Sequence, residues 1–559
     1  MGLIEMTMTT SSTSTVPSPD LDRIPELGPG VTVHEPISEH APWVLRRGES
    51  RYYRVGKDLA DLACAIDGVR SVRELARDLG GRWDPNSVHG AVADLTGAGL
   101  VADPTVDRTP SRRKARKKAG RIRFVPPMTV QFSLLDPSRL LRPGIASMGE
   151  RAIRVVLALA AAISVGGLIA MTATFAAVYK TLSQPLTPTT YILVTVAVLA
   201  TTAVHEFGHG LVLAHHGGRP TRMGVMLFYL TPAFFCDVSD GWRLAQPRQR
   251  VQVALAGIAV QWTVAGAAGL GSVVVGNGGL RDGLITFATL TYLAGIMNLV
   301  PLVKLDGYIA LMSYLDVPNL RAKSIEDARN WTAHILFGSR RAEPSERSWS
   351  VLYGFACIAF PFYLVATALT VWSDSIMRLG WAGAALIISL FVFGGYVVGK
   401  SAVRFVRDAA RNGASITRIV AAVVLAAVVA AVSLTMIRVP STVAGGFRTD
   451  DNGTVHFVAA RSVDLSAVER GDVVQLRRGG IVFHREVGTA RIADPDVTST
   501  TAPLSTLIPV TMSTPTPVDS MTLDDSTATV DSGIASIDTG TLSLGDWIAS
   551  TYIKVLLHP

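Results

Sequence analysis

The chain is poor in cysteine and in charge. Its three cysteines, Cys64, Cys236 and Cys357, lie far apart with no CxxC pair, which excludes a disulfide framework and a cysteine-built metal site. Charged residues make up only 17% of the 559, against 49% hydrophobic, too apolar a balance for a soluble protein. The first twenty residues have no basic stretch leading into an apolar run, so no signal peptide is expected there. No Ser/His/Asp or Cys/His nucleophile signature is present. The net charge of +8 is gathered in a few short stretches, a pattern of membrane topology rather than of a nucleic-acid surface.

What the chain has instead is long apolar runs, at roughly 152–179, 190–215, 251–276, 283–315, 351–372, 379–399 and 418–437. Most reach the ~20 residues that a helix needs to cross about 30 Å of hydrocarbon. The fourth is too long for one straight crossing and is interrupted at Pro301 and Gly307. That predicts a broken helix, which a bilayer tolerates only where the backbone is buried in protein or faces a cavity. Arginines and lysines crowd the loops before the first span and after the second, fourth and sixth. The positive-inside rule therefore places the start of the chain in the cytoplasm and its end outside, in a bacterial cell membrane.

The expected class is an α-helical multi-pass membrane protein of about seven spans, with a cytoplasmic winged-helix-like α+β module and an outer all-β domain. Residues 1–40 read as a disordered Ser/Thr/Pro-rich lead, 41–107 as the module and 108–150 as a basic juxtamembrane tether. Residues 151–438 form the membrane core and 439–559 the β domain. The stretch Arg108 to Arg123 holds nine basic residues and no acidic one, which suits anionic lipid. Within the β domain, strands are expected at GTVHFVA, DVVQL, GIVFHREV and DWIASTYIKVLL, with 496–532 as a long flexible insertion.

The chemistry is concentrated in VHEFGHG, where His205, Glu206 and His209 have HExxH spacing. Positions i and i+4 share a helix face, so both imidazoles can reach one metal, with Glu206 beside it as general base. The motif sits in an otherwise apolar span, where each ionisable group costs about 2.5–3.5 kcal/mol unless it has a polar partner. Counted from the end of its span, His205 lies roughly 15 Å below the cytoplasmic surface. Two residues compete as third ligand. His215 is at the HExxHxxGxxH distance, but Val212 stands where a glycine would turn the chain. A continuous helix would hold His215 about 15 Å from His205 along its axis. Asp306, in NLVPLVKLDGYIAL, is a carboxylate inside the broken span and needs a partner of opposite charge. It is the favoured ligand.

With His205-Glu206-x-x-His209 on one helix and Asn298-x-x-Pro301-x-x-x-Leu305-Asp306-Gly307 on a broken one, residues 150–315 resemble the site-2 protease family of intramembrane zinc metalloproteases. The resemblance implies a Zn2+ site on the cytoplasmic side, peptide-bond hydrolysis, and a role for Asn298 in holding the substrate or the oxyanion. Asn298 could equally do no more than satisfy backbone at the helix break. Asp237, Asp240 and Trp242 resemble a stretch of a bacterial branch of peptide zinc metalloproteases, and read more simply as a loop packed over the site. The start of that stretch, MGVMLF, could form an edge strand that pairs with an extended substrate.

The module resembles PqqD-like domains, which capture leader peptides by adding a strand to a small sheet. Its nine basic and nine acidic side chains between 41 and 104 disfavour a phosphate-binding face, so no nucleic-acid partner is expected. The β domain faintly resembles pieces of exporter adaptor proteins. Together these resemblances imply a peptide zinc metalloprotease of ribosomal peptide natural-product pathways, such as daptide biosynthesis, that removes the leader of a precursor peptide. Cleavage of a membrane-tethered regulator is the competing protease reading, and a non-catalytic export or immunity factor the competing binder. An intact Glu206 argues against the binder.

Overall fold

The computed structural model describes residues 2–5, 20–37, 41–48, 51–102, 122–125, 129–138, 141, 149–228, 231–339, 347–377, 381–461, 463, 465–480, 482–507 and 510–553. The basic stretch 108–121 lies outside them. Two compact units emerge, one of Met1–Ala162, Leu199–Val264 and Tyr292–Leu320, the other of Ile163–Val198, Ala265–Thr291 and Arg321–Pro559.

The first unit opens with a sheet of order β1-β4-β3-β2, made of β1 (Gly2–Glu5), β2 (Val31–His34), β3 (Trp43–Arg47) and β4 (Arg51–Val55). Three helices follow: α1 (Lys57–Ala65), α2 (Val72–Leu79) and α3 (Pro85–Gly97). Local signals set their starts. Ser71 and Glu74 form a reciprocal capping box on α2, and Asp84 caps α3 ahead of Pro85. The apolar positions of all three converge with Leu45 and Tyr53 on one core. Leu21, Leu27, Val31 and Val33 pack against that core, so 20–37 belongs to the module and not to a disordered lead. The alternation was too short there to read as a strand.

The other face of this sheet meets the rest of the unit. Tyr52 is buried against Ser239, and Arg243 donates to the Glu35 carbonyl at 2.8 Å. Burial, then the Arg243 charge, holds the His34 imidazole below its ordinary range. Arg54 grips both oxygens of Asp316, at 3.1 and 2.9 Å, and Arg250 reaches the same carboxylate at 2.6 Å. Arg250 is 4% exposed and Asp316 41%, so solvent screens part of this interaction. Asp316 has a positive φ of 50°, a conformation that Asn tolerates equally well. Asp316→Asn therefore removes the charge alone, and is expected to lower stability by about 1–2 kcal/mol, read as a lower melting temperature in detergent.

A second sheet, β5 (Ile122–Val125), β6 (Thr129–Leu135), β7 (Met223–Phe228) and β8 (Thr231–Cys236), runs antiparallel in sequence order. Part of the expected tether is thus strand. MGVMLF forms β7, an interior strand rather than an edge, because β6 supplies a partner from far back in the chain; the edge beside the site is β8.

Among the described residues, six helices are long and apolar enough to cross a membrane. They are α4 (Glu150–Ala173), α6 (Pro188–His215), α7 (Pro247–Val274), α11 (Ser350–Met377), α12 (Trp381–Arg411) and α13 (Ile416–Met436). The short α5 (Phe175–Leu182) lies between the first two. The fourth expected span is divided into α8 (Gly279–Leu299) and α9 (Asp306–Tyr314), with α10 (Leu320–Phe337) after it. In the second unit, α4 and α7 cross in close contact. A Cβ on Gly167 would fall 2.3 Å from the Gly266 backbone.

The second unit also holds a closed barrel of order β10-β13-β12-β11-β14-β9. Its strands are β9 (Arg438–Thr449), β10 (Val455–Ala460), β11 (Val473–Gly479), β12 (His484–Pro503), β13 (Pro515–Asp524) and β14 (Ser532–Ser543). Phe447, Phe457, Leu476 and Ile537 fill it with no exposed surface. The stretch 496–532 is not a flexible insertion. Its threonines and valines suit a pleated surface, and Thr498 through Pro503 pair with β13. Nor is DWIASTYI, the described part of DWIASTYIKVLL, a strand: Ser543 accepts from the Asp546 N–H and starts α14 (Leu544–Ile548), whose continuation buries Tyr552; residues 554–557 lie outside the described residues. The turn between α5 and α6 is stitched to the barrel, with the Leu182 carbonyl accepting from Phe483 and the Leu186 carbonyl from Thr511.

Candidate metal centre

Helix α6 presents His205 and His209 on one face, as the four-residue spacing requires. Both are buried, at 6% and 5% exposure, and their Nε2 atoms lie 3.2 Å apart. The Nδ1 of His209 donates to the Val253 carbonyl of α7 at 2.7 Å. That bond fixes the tautomer and leaves Nε2 with a free lone pair.

The third donor comes from across the helix break. Chain reversal after α8 puts Asp306 at the first turn of α9, with Oδ2 2.9 Å from His205 Nε2 and Oδ1 3.4 Å from His209 Nε2. Gly307 makes the approach possible: any Cβ there would sit 2.0 Å from the Leu299 carbonyl oxygen. Four-coordinate zinc with bonds of about 2.0–2.1 Å has ligand atoms about 3.3 Å apart. The imidazole nitrogens are 3.2 Å apart and reach different oxygens of the Asp306 carboxylate at 2.9 and 3.4 Å, separations of that order. Asp306 Oδ2 is buried and faces His205 Nε2 at 2.9 Å without a well-aligned hydrogen bond, a costly state unless a proton or a cation is shared between them. The donor set of two imidazoles and one carboxylate therefore fits a divalent metal.

Glu206 belongs to the same cluster and could itself serve as a donor with His205 and His209. Its carboxylate lies within 4.8 Å of both imidazoles, yet Oε2 is engaged by the Cys236 N–H at the end of β8, at 2.9 Å. β8, the terminal strand of its sheet among the described residues, thus ends against the Glu206 carboxylate.

Two residues of the site carry no sequence signature. Gly257 of α7 faces the donors, and a Cβ built on it would meet His209 Nε2 at 2.5 Å and His205 Nε2 at 2.6 Å. The absent side chain is the space an ion would take. One turn on, the buried Gln261 accepts from the half-buried Asn298 amide at 3.4 Å. A buried glutamine in an apolar span needs a partner, and that cost could have flagged it.

His215 ends α6 and stacks near His216, which bonds Gln252 at 2.8 Å. Neither joins the cluster among the described residues. Asp237, Asp240 and Trp242 brace the loop after β8. Asp237 accepts from Thr221 and Ser239, Asp240 from the Arg219 N–H and Arg243, and Trp242 is buried. Burial works to raise the Asp237 carboxyl, but Ser239, Thr221 and Arg222 outweigh it and hold it below its ordinary range.

No family model matches the chain, and no curated protein or solved structure matches it either.

Proposed function

We propose that this chain is an intramembrane zinc metallopeptidase of the site-2 protease kind, which hydrolyses a peptide bond of a precursor peptide and so removes its leader. The observation that carries the reading is the buried triangle of His205, His209 and Asp306 with Glu206 held beside it. When bound, zinc supplies a Lewis acid that polarises a carbonyl and acidifies water. His205, His209 and Asp306 hold it, with Val253 locking one ring. Glu206 accepts the proton of the attacking water and delivers it to the leaving amine nitrogen as the C–N bond breaks. Asn298, tied to Gln261, orients the substrate carbonyl.

An extended substrate segment fits along β8, where backbone pairing would lead it past Glu206. The module supplies a second peptide contact, at the edge of its sheet. The basic loops, the burial of the site and the pairing of the α9 end with the first turn of α7 through Asp316 and Arg250 support a site that opens to the cytoplasm. The barrel then stands outside.

The purified chain is expected to contain about one zinc by elemental analysis. Dialysis against a chelator should abolish cleavage of a detergent-solubilised membrane-tethered reporter, and zinc should restore it. Cleavage that survives complete metal removal would rule the reading out.

A further inference from the structure

The sheet of the module ends in an unusual strand. β1 is four residues long, GLIE, and pairs in parallel with β4 in the register Gly2↔Arg51, Leu3↔Tyr52, Ile4↔Tyr53, Glu5↔Arg54. β4 is its neighbour in the sheet, and 25 residues separate it from β2. The antiparallel unit β2-β3-β4 packs a core against α1–α3. β1 is thus a short parallel addition at the β4 edge of that antiparallel unit. A strand this short contributes a few backbone hydrogen bonds, each worth about 1 kcal/mol net. A tether, however, presents it at an effective concentration of about millimolar.

We propose that residues 2–5 are a built-in competitor for the peptide-accepting edge of β4. The inference rests on the reading that this edge captures an extended peptide. A precursor segment must displace β1 to pair with β4, so the module responds only to peptides that outcompete its own GLIE. The displaced strand lies opposite Arg54, the residue that also reaches Asp316, so the exchange takes place one residue from the contact with the membrane core.

The test compares the full chain with a form lacking residues 1–19, both in detergent. The probe is a fluorescein-labelled synthetic peptide of residues 1–10, MGLIEMTMTT. Anisotropy should show the probe binding the shortened form at least about 10-fold more tightly, and the Arg51–Val55 amides should exchange faster after the deletion. Leu3→Pro with Ile4→Pro in the full chain should reproduce the gain, since proline cannot donate to the ladder. Equal affinity for both forms overturns the competitor while leaving peptide capture standing. No binding to either form overturns both. Neither readout depends on metal or on cleavage.

Discussion

Glu206→Gln is expected to keep about one zinc per chain while peptide-bond cleavage falls by about 10²–10⁴-fold, the usual worth of a positioned general base. The substitution is nearly isosteric. Its amide oxygen can still accept the Cys236 N–H that now holds the carboxylate at 2.9 Å, so the end of β8 keeps its anchor. What disappears is the ability to take a proton from water. His205, His209 and Asp306 are untouched, and the side chains proposed to hold the ion stay in place. Elemental analysis and a cleavage assay on the same preparation separate the outcomes. Undiminished cleavage would place the base elsewhere, and loss of zinc would make Glu206 a ligand.

Gly257→Ala should have the opposite signature, with zinc reduced to less than about a tenth of its normal content in a chain that still folds. Alanine is favoured over glycine in a helix by about 1 kcal/mol, so α7 itself has no reason to weaken. The new methyl, however, would lie 2.5 and 2.6 Å from the two imidazole nitrogens, inside the volume the ion needs, and packed interiors do not yield such space. Activity should vanish with the metal, and a thermal melt should show no comparable loss of fold. Full zinc occupancy in the alanine variant would mean that the ion sits elsewhere. Gly307→Ala is a useful contrast: there the methyl strikes the Leu299 backbone, and the helix break itself should suffer.

The candidate donors could be picked out of the sequence because each is expensive where it stands. Two histidines and an aspartate inside apolar runs demand a partner, and Pro301 marks where the second run must break. The rest of the site was silent because the signals involved are not chemical. A glycine in an apolar stretch gives no sign of what its missing side chain leaves room for, and the Val253 carbonyl that orients His209 is backbone. The flanking domains show the same division. The helices of the module announce themselves through Ser71, Glu74, Asp84 and Pro85, whose effects are local. β1 pairs with a strand about 50 residues away and β2 with one beyond an intervening loop, and short strands carry too little periodicity to reveal such pairing. In the barrel, the end of β12 and all of β13 looked like polar filler because threonine and serine serve loops and strands alike; only the pairing across 498–503 and 515–520 decides between them.

The distance along the chain between the donors has a consequence for biosynthesis. His205 and His209 are translated about a hundred residues before Asp306, so during insertion they enter the lipid as an incomplete pair. An ion can be gripped by all three only after the later hairpin has been laid down beside the earlier one. On the proposed reading, loading would therefore wait at least until Asp306 has been made. Cells starved of zinc should accumulate full-length, membrane-inserted but silent protein, which can be switched on by metal without new synthesis.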